Sequence, residues 1–204
     1  MSKLKKLFGP YKNDIWKQLA QEIDADFIES RFLKDSKVEA SVKEWTVTLD
    51  TFVVPVGKVF ITYTRMRAPY VNKDGFRFKL YRKGFFSDLG KKMGMQDIDV
   101  GFPEFDDRFI IQSKDEHKLQ RLFANPKLRE LIDAQPDISL EVEDDDGWLS
   151  AKFPEGVDQL TFKVVGVIKD IELLKQLYVL FAETLNQLCL IDSAYEDDPN
   201  IIFK

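Results

Sequence analysis

Glu44–Lys83 reads EWTVTLDTFVVPVGKVFITYTRMRAPYVNKDGFRFKLYRK, and its period decides the fold. Val, Thr, Phe and Trp dominate the first half with partial alternation, the pattern that sends successive side chains to opposite faces of a strand. Gly57 breaks the run, so Glu44–Val54 and Val59–Arg67 are expected as separate strands. Ala68–Gly75 carries Pro69, Asn72 and the Asp74-Gly75 pair, a turn signal. Beyond it, Phe76, Phe78 and Leu80 alternate with Arg77, Lys79 and Tyr81. The spacing predicts a hairpin of 59–67 with 76–82.

Outward from this stretch, Asp26–Phe32 and Lys37–Val42 have the same β character, which makes 25–83 strand-rich. Upstream, Ile15, Trp16, Leu19 and Ile23 recur at helical spacing and predict a helix over 13–23. Downstream, FFSDLGKKM at 85–93 lies among Gly84, Gly90 and Gly94 and fits a short helix or a loop. Arg108–Gln112 reads as a strand, and Leu119, Leu122 and Phe123, then Leu128, Leu131 and Ile132 after Pro126, predict an αα insertion over 114–133. Ile138–Val142 and Trp148–Phe153 alternate around the turn Asp144-Asp145-Asp146-Gly147 and predict a second hairpin; Gln159–Val167 follows as a strand, giving hairpin and strand over 138–167. Ile171, Leu174, Leu177, Tyr178, Phe181, Leu185 and Leu188 line one side of a long helix over 170–191. The expectation is one α+β domain, 1–204, mainly antiparallel β.

Among 204 residues, 44% are hydrophobic and 17 are Phe, which supplies a core and excludes wholesale disorder. A lone cysteine, Cys189, excludes an internal disulfide, a CxxC redox pair and an all-cysteine zinc site. The lone histidine, His117, sits in KDEHKL at a polar helix start with no GxSxG near it. GKKMG at 90–94 lacks the spacing of a phosphate-binding loop and of a dinucleotide fingerprint. No catalytic motif and no cofactor motif is present, so a non-enzymatic protein without a cofactor is expected. No run reaches the roughly 18–20 apolar residues of a membrane-spanning helix. Met1–Lys12 has four lysines (Lys3, Lys5, Lys6, Lys12) but no apolar h-region, so a cytoplasmic, soluble protein is the expectation. Its Leu4, Leu7, Phe8 and Tyr11 fit either a short membrane-surface segment or a frayed terminus.

The net charge of −5 conceals a division: residues 1–100 carry +6 and residues 101–204 carry −11. Tyr63–Lys83 holds seven basic residues against Asp74 alone. Strand alternation puts Arg65 and Arg67 on one face, and with Lys73, Arg77, Lys79 and Arg82 they form a candidate anionic-ligand site. Its partner would be an acidic protein or an anionic lipid surface; the acidic whole, with a pI near 5.1, argues against nucleic acid. A solvated strand face is the plainer alternative. A second reading takes Asp97, Asp99, Asp106 and Asp107, near Glu104, as metal or acid/base groups of a hydrolase. Glu143–Asp146 lacks calcium-loop spacing and reads as a solvated turn. A third reading is a homo-oligomer in which the basic half of one chain meets the acidic half of another.

FDDRFII at 105–111, LFANPKLRELI at 122–132, WLSAKFP at 148–154 and the long apolar helix give an order of strand, helices, hairpin and helix. Over Phe105–Ser193 this resembles uncharacterised bacterial proteins of a domain-of-unknown-function family, many of which carry a transmembrane hairpin upstream where this chain has strands. The resemblance implies no catalytic signature. Many strands followed by one long amphipathic helix also resemble the pleckstrin-homology-like architecture, a bent antiparallel barrel capped by a helix, with 114–133 inserted. A two-layer α+β sandwich is the other arrangement compatible with the same elements.

Overall fold

A computed structural model of the protein describes residues 11–29, 35–84, 96–144 and 153–201. Helix α1 (Lys12–Glu22) leads into β1 (Asp26–Ile28), β2 (Lys37–Val42), β3 (Trp45–Val56), β4 (Val59–Val71) and β5 (Phe78–Arg82). Strand β6 (Gln96–Asp97), the short helix α2 (Pro103–Asp106), β7 (Phe109–Ser113), α3 (Glu116–Phe123) and α4 (Pro126–Asp133) follow. Strands β8 (Ser139–Glu143) and β9 (Val157–Val165) and helix α5 (Ile171–Leu190) complete the described elements. The expected helices and most expected strands are present; α2 and β6 were not expected. The segment 85–93 and most of the strand expected at 148–153 lie outside the described residues.

The strands form one antiparallel sheet in the order β1-β2-β3-β4-β9-β8-β5-β7-β6. Among the described residues no pairing joins β1 to β6, so the sheet is not closed into a barrel. The architecture is α+β. Two expected hairpins need correction. β4 does not pair with β5: β9 and β8 lie between them, so 59–67 pairs with β3 and β9 instead. β8 pairs with β5 and β9, so 139–143 closes its hairpin with 159–163. Alternation assigns faces but not neighbours.

Two adjacent rows show how strictly the faces separate. Val38, Leu49, Met66, Phe162, Leu140, Leu80 and Ile111 stand opposite one another across β2, β3, β4, β9, β8, β5 and β7, all fully buried. They belong to the apolar cluster that also takes Trp16 and Leu19 of α1, Phe105 of α2, Phe123 of α3, Ile132 of α4 and Leu177 and Phe181 of α5. One residue along each strand, on the other face, the row is Glu39, Thr48, Arg67, Thr161, Glu141, Lys79 and Gln112, ending at Asp97 of β6. Every member of the second row is polar.

Candidate functional site

The six cations singled out from sequence are held by several different elements. Arg65 and Arg67 project from β4 on the polar face, where both meet Asp50 of β3. Arg65 donates from Nε and Nη2 at 2.9 Å each, a bidentate fork, and Arg67 donates from Nη2 at 2.6 Å. Lys79 of β5 lies 3.3 Å from Glu141 of β8. Arg77, just before β5, donates to both oxygens of Asp158 at 3.0 Å and to Asp144 at 2.9 Å. Lys73 pairs with Asp192, whose carboxylate raises the ammonium pKa while its own is lowered. Arg82 falls on the apolar face beside Leu80; it covers the Phe109 ring at 4.7 Å and donates to the carbonyls of Asp133 and Gln135.

Each of the six therefore has a carboxylate partner within the chain, counting Arg82 with Asp133 at 3.5 Å. Burial goes with this pairing: Arg67 is 3% exposed and Lys79 7%. A cation at that depth is stable only when paired, because a desolvated charge without a partner is very costly. On the polar face, Arg65, Arg67 and Lys79 belong to a charge network. Lys163 Nζ of β9 sits 3.1 Å from Glu141 and 2.7 Å from Glu143, so Glu141 is held between Lys79 and Lys163. Burial acts to raise the pKa of Glu141, but the two ammoniums overcome it and the pKa is lowered. Glu143 moves the other way, because burial and the neighbouring Glu141 together outweigh Lys163.

The carboxylate group at 97–107 is dispersed. Asp106 closes the loop before α2: its Oδ1 accepts from the backbone N–H of Val100 at 2.9 Å, and its Oδ2 from those of Gly101 and Phe102 at 3.1 and 2.9 Å. Asp97 accepts from Gln112 Nε2 at 2.7 Å across β6 and β7. Asp99 and Asp107 are exposed. Among the described residues, no three His, Cys, Asp or Glu side chains are grouped to hold a metal ion. An open groove of about 530 Å³ runs between α2 and α4, and a smaller cavity of about 200 Å³ lies beside the end of β9; none of the six cations lines either.

One feature of the geometry was not singled out from sequence. Strand β9 ends opposite Tyr63, so β3 and β4 continue past the sheet as a two-stranded ribbon, paired down to Val56 with Val59 and turning at Gly57-Lys58. Gly57 takes φ +61, the left-handed conformation that such a tight turn requires. Phe60 is 74% exposed, Val59 63% and Val56 53%, with Val53 and Val165 also exposed. The sequence signal was there: VVPVGKVFI has no polar alternation, as a half-buried strand would have. No described helix is long and apolar enough to cross a membrane. No family model, curated protein or solved structure matches this chain.

Proposed function

We propose that this protein is a non-enzymatic binding or scaffold module that meets an anionic partner through the β3–β4 ribbon. This moves the contact from the expected basic hairpin, whose cations already have partners. The observation that carries the reading is the exposure of Val56, Val59 and Phe60 at the tip of a ribbon that extends past its sheet. Contiguous exposed apolar surface on a soluble domain marks an interaction site more often than isolated exposed residues do. Leaving these side chains in water forgoes on the order of 5 kcal/mol of burial, which a partner would recover. Lys58 is the one charged residue between Asp50 and Arg65, so the surface is cationic as well as apolar.

A Phe60→Trp variant reports directly. Its emission, taken as the difference from the wild type, is expected to shift to the blue when an anionic partner is supplied or as protein concentration rises. A difference spectrum that stays water-like with vesicles of either charge and at high concentration removes the ribbon as a binding site.

A further inference from the structure

From the ribbon's two faces and its charges we infer that the partner is an anionic lipid surface, into whose headgroup and acyl boundary the tip inserts. This deepens the reading of the ribbon as the contact site and rests on it. The register places Val54, Val56, Val59 and Ile61 on one face and Val53, Pro55 and Phe60 on the other. Both faces are apolar but for Thr62, and beyond the Tyr63–Val165 pair no described strand lies along the outer edge of either β3 or β4. A protein surface that receives a ribbon flat covers one face and leaves the other in water. A lipid boundary surrounds an inserted tip and covers both, since its contact is non-directional. A second copy adding as an edge strand would need regular backbone donors, and Pro55 removes one.

Charge selects the kind of lipid. No carboxylate occurs from Thr51 to Thr64 or from Val164 to Lys169; Lys58 and Lys169 are the only charged residues in those segments. Lys169 lies beside the ribbon's base, because Gly166 N–H donates to the Thr62 carbonyl and Ile168 N–H to the Thr64 hydroxyl. Neither lysine has a carboxylate partner among the described residues, unlike the six cations between Arg65 and Arg82. Both are exposed. Lysine's four-carbon stem packs along apolar surface while its ammonium reaches back to a phosphate, so Lys58 at the turn is compatible with a shallow insertion. Each such lysine near an anionic surface adds about fivefold to binding at low salt.

The test is co-sedimentation of the full chain with vesicles of phosphatidylcholine alone and of phosphatidylcholine with phosphatidylserine, at low and moderate salt. Three proteins are compared: wild type, Val56→Ser with Phe60→Ser, and Lys58→Gln with Lys169→Gln. Thermal melts confirm that each is folded. The expected result is salt-sensitive pelleting of the wild type with the serine-lipid vesicles only, a loss of about a hundredfold in the apolar variant and a clear loss in the lysine variant. Absence of wild-type pelleting overturns the lipid inference; the ribbon reading then survives only if sedimentation velocity shows a self-association that the Val56→Ser, Phe60→Ser protein has lost. Pelleting undiminished in that variant overturns both, because the lipid contact would lie elsewhere.

Discussion

Glu141 and Glu143 stand two residues apart on the same face of β8, share the ammonium of Lys163, and have pKa values shifted in opposite directions. The lowered pKa of Glu141 contributes stability that is present above its unfolded pKa and lost as pH falls through its folded one. Glu143, with a raised pKa, contributes stability at low pH that is lost as pH rises through its folded value. Glu143→Gln is therefore expected to raise stability at pH 7 and to match the wild type in acid. Glu141→Gln should lose about 3 kcal/mol at pH 7, because Lys79 is then buried without its carboxylate, and the loss should shrink in acid. Urea unfolding at the two pH values measures both, and equal responses of the two variants would refute the assignment. Asp106 is a similar case: with three backbone donors on one carboxylate, Asp106→Ala should cost about 2–3 kcal/mol, while magnesium leaves the thermal midpoint of the wild type unchanged. At this scale the sequence made the cations legible as a set but not their partners. Asp50, Glu141 and Asp158 lie 15 to 81 residues away from the cations they hold, and nothing local marks them.

The helices and most strands were legible because their apolar periods are local. The neighbour relations were not, and the connection between β4 and β5 shows why. Its Asp74-Gly75 turn is present, with Gly75 at φ +71, but it is organised by Asn72, whose side-chain oxygen accepts from Gly75 N–H at 2.9 Å. The Asn72 amide nitrogen donates to the Phe76 carbonyl at 3.1 Å and to Asp158 of β9 at 2.5 Å. The turn is thus tied to β9, and the β8–β9 pair occupies the space that a β4–β5 hairpin would close. A turn signal predicts a change of direction; which strand then lies alongside depends on a contact 86 residues distant. Asn72→Ala should cost about 2–3 kcal/mol, since Asp158 is almost fully buried and loses a donor. Asn72→Asp should cost more, because it places a second carboxylate against Asp158. The reverse order of the two variants in thermal melts would show that the turn, not the link to β9, is what Asn72 serves.

The division of charge between the halves of the chain is resolved within the molecule by its topology. Strand β5, from the basic half, lies between β8 and β7 of the acidic half; its own Lys79 and Arg82 reach Glu141 and Asp133, and Lys73 and Arg77 ahead of it reach Asp192 and Asp158. Residues 1–84 also lack the long helix α5, whose Leu177 and Phe181 complete the apolar cluster over the sheet. Neither half can satisfy itself: the first leaves β5 without both neighbours, and the second leaves β9 without β4. The fragments 1–84 and 96–204 are accordingly expected to show no cooperative melt separately and to regain one on mixing. Their association should weaken as ionic strength rises, but incompletely, because buried pairs such as Lys79 with Glu141 are screened far less than exposed ones such as Lys73 with Asp192. The intact chain, with these charges already matched, should show no salt-sensitive dimer by sedimentation velocity. A cooperative melt of 1–84 alone would mean that the basic half folds without its acidic complement, and that the charge division serves a partner outside the chain.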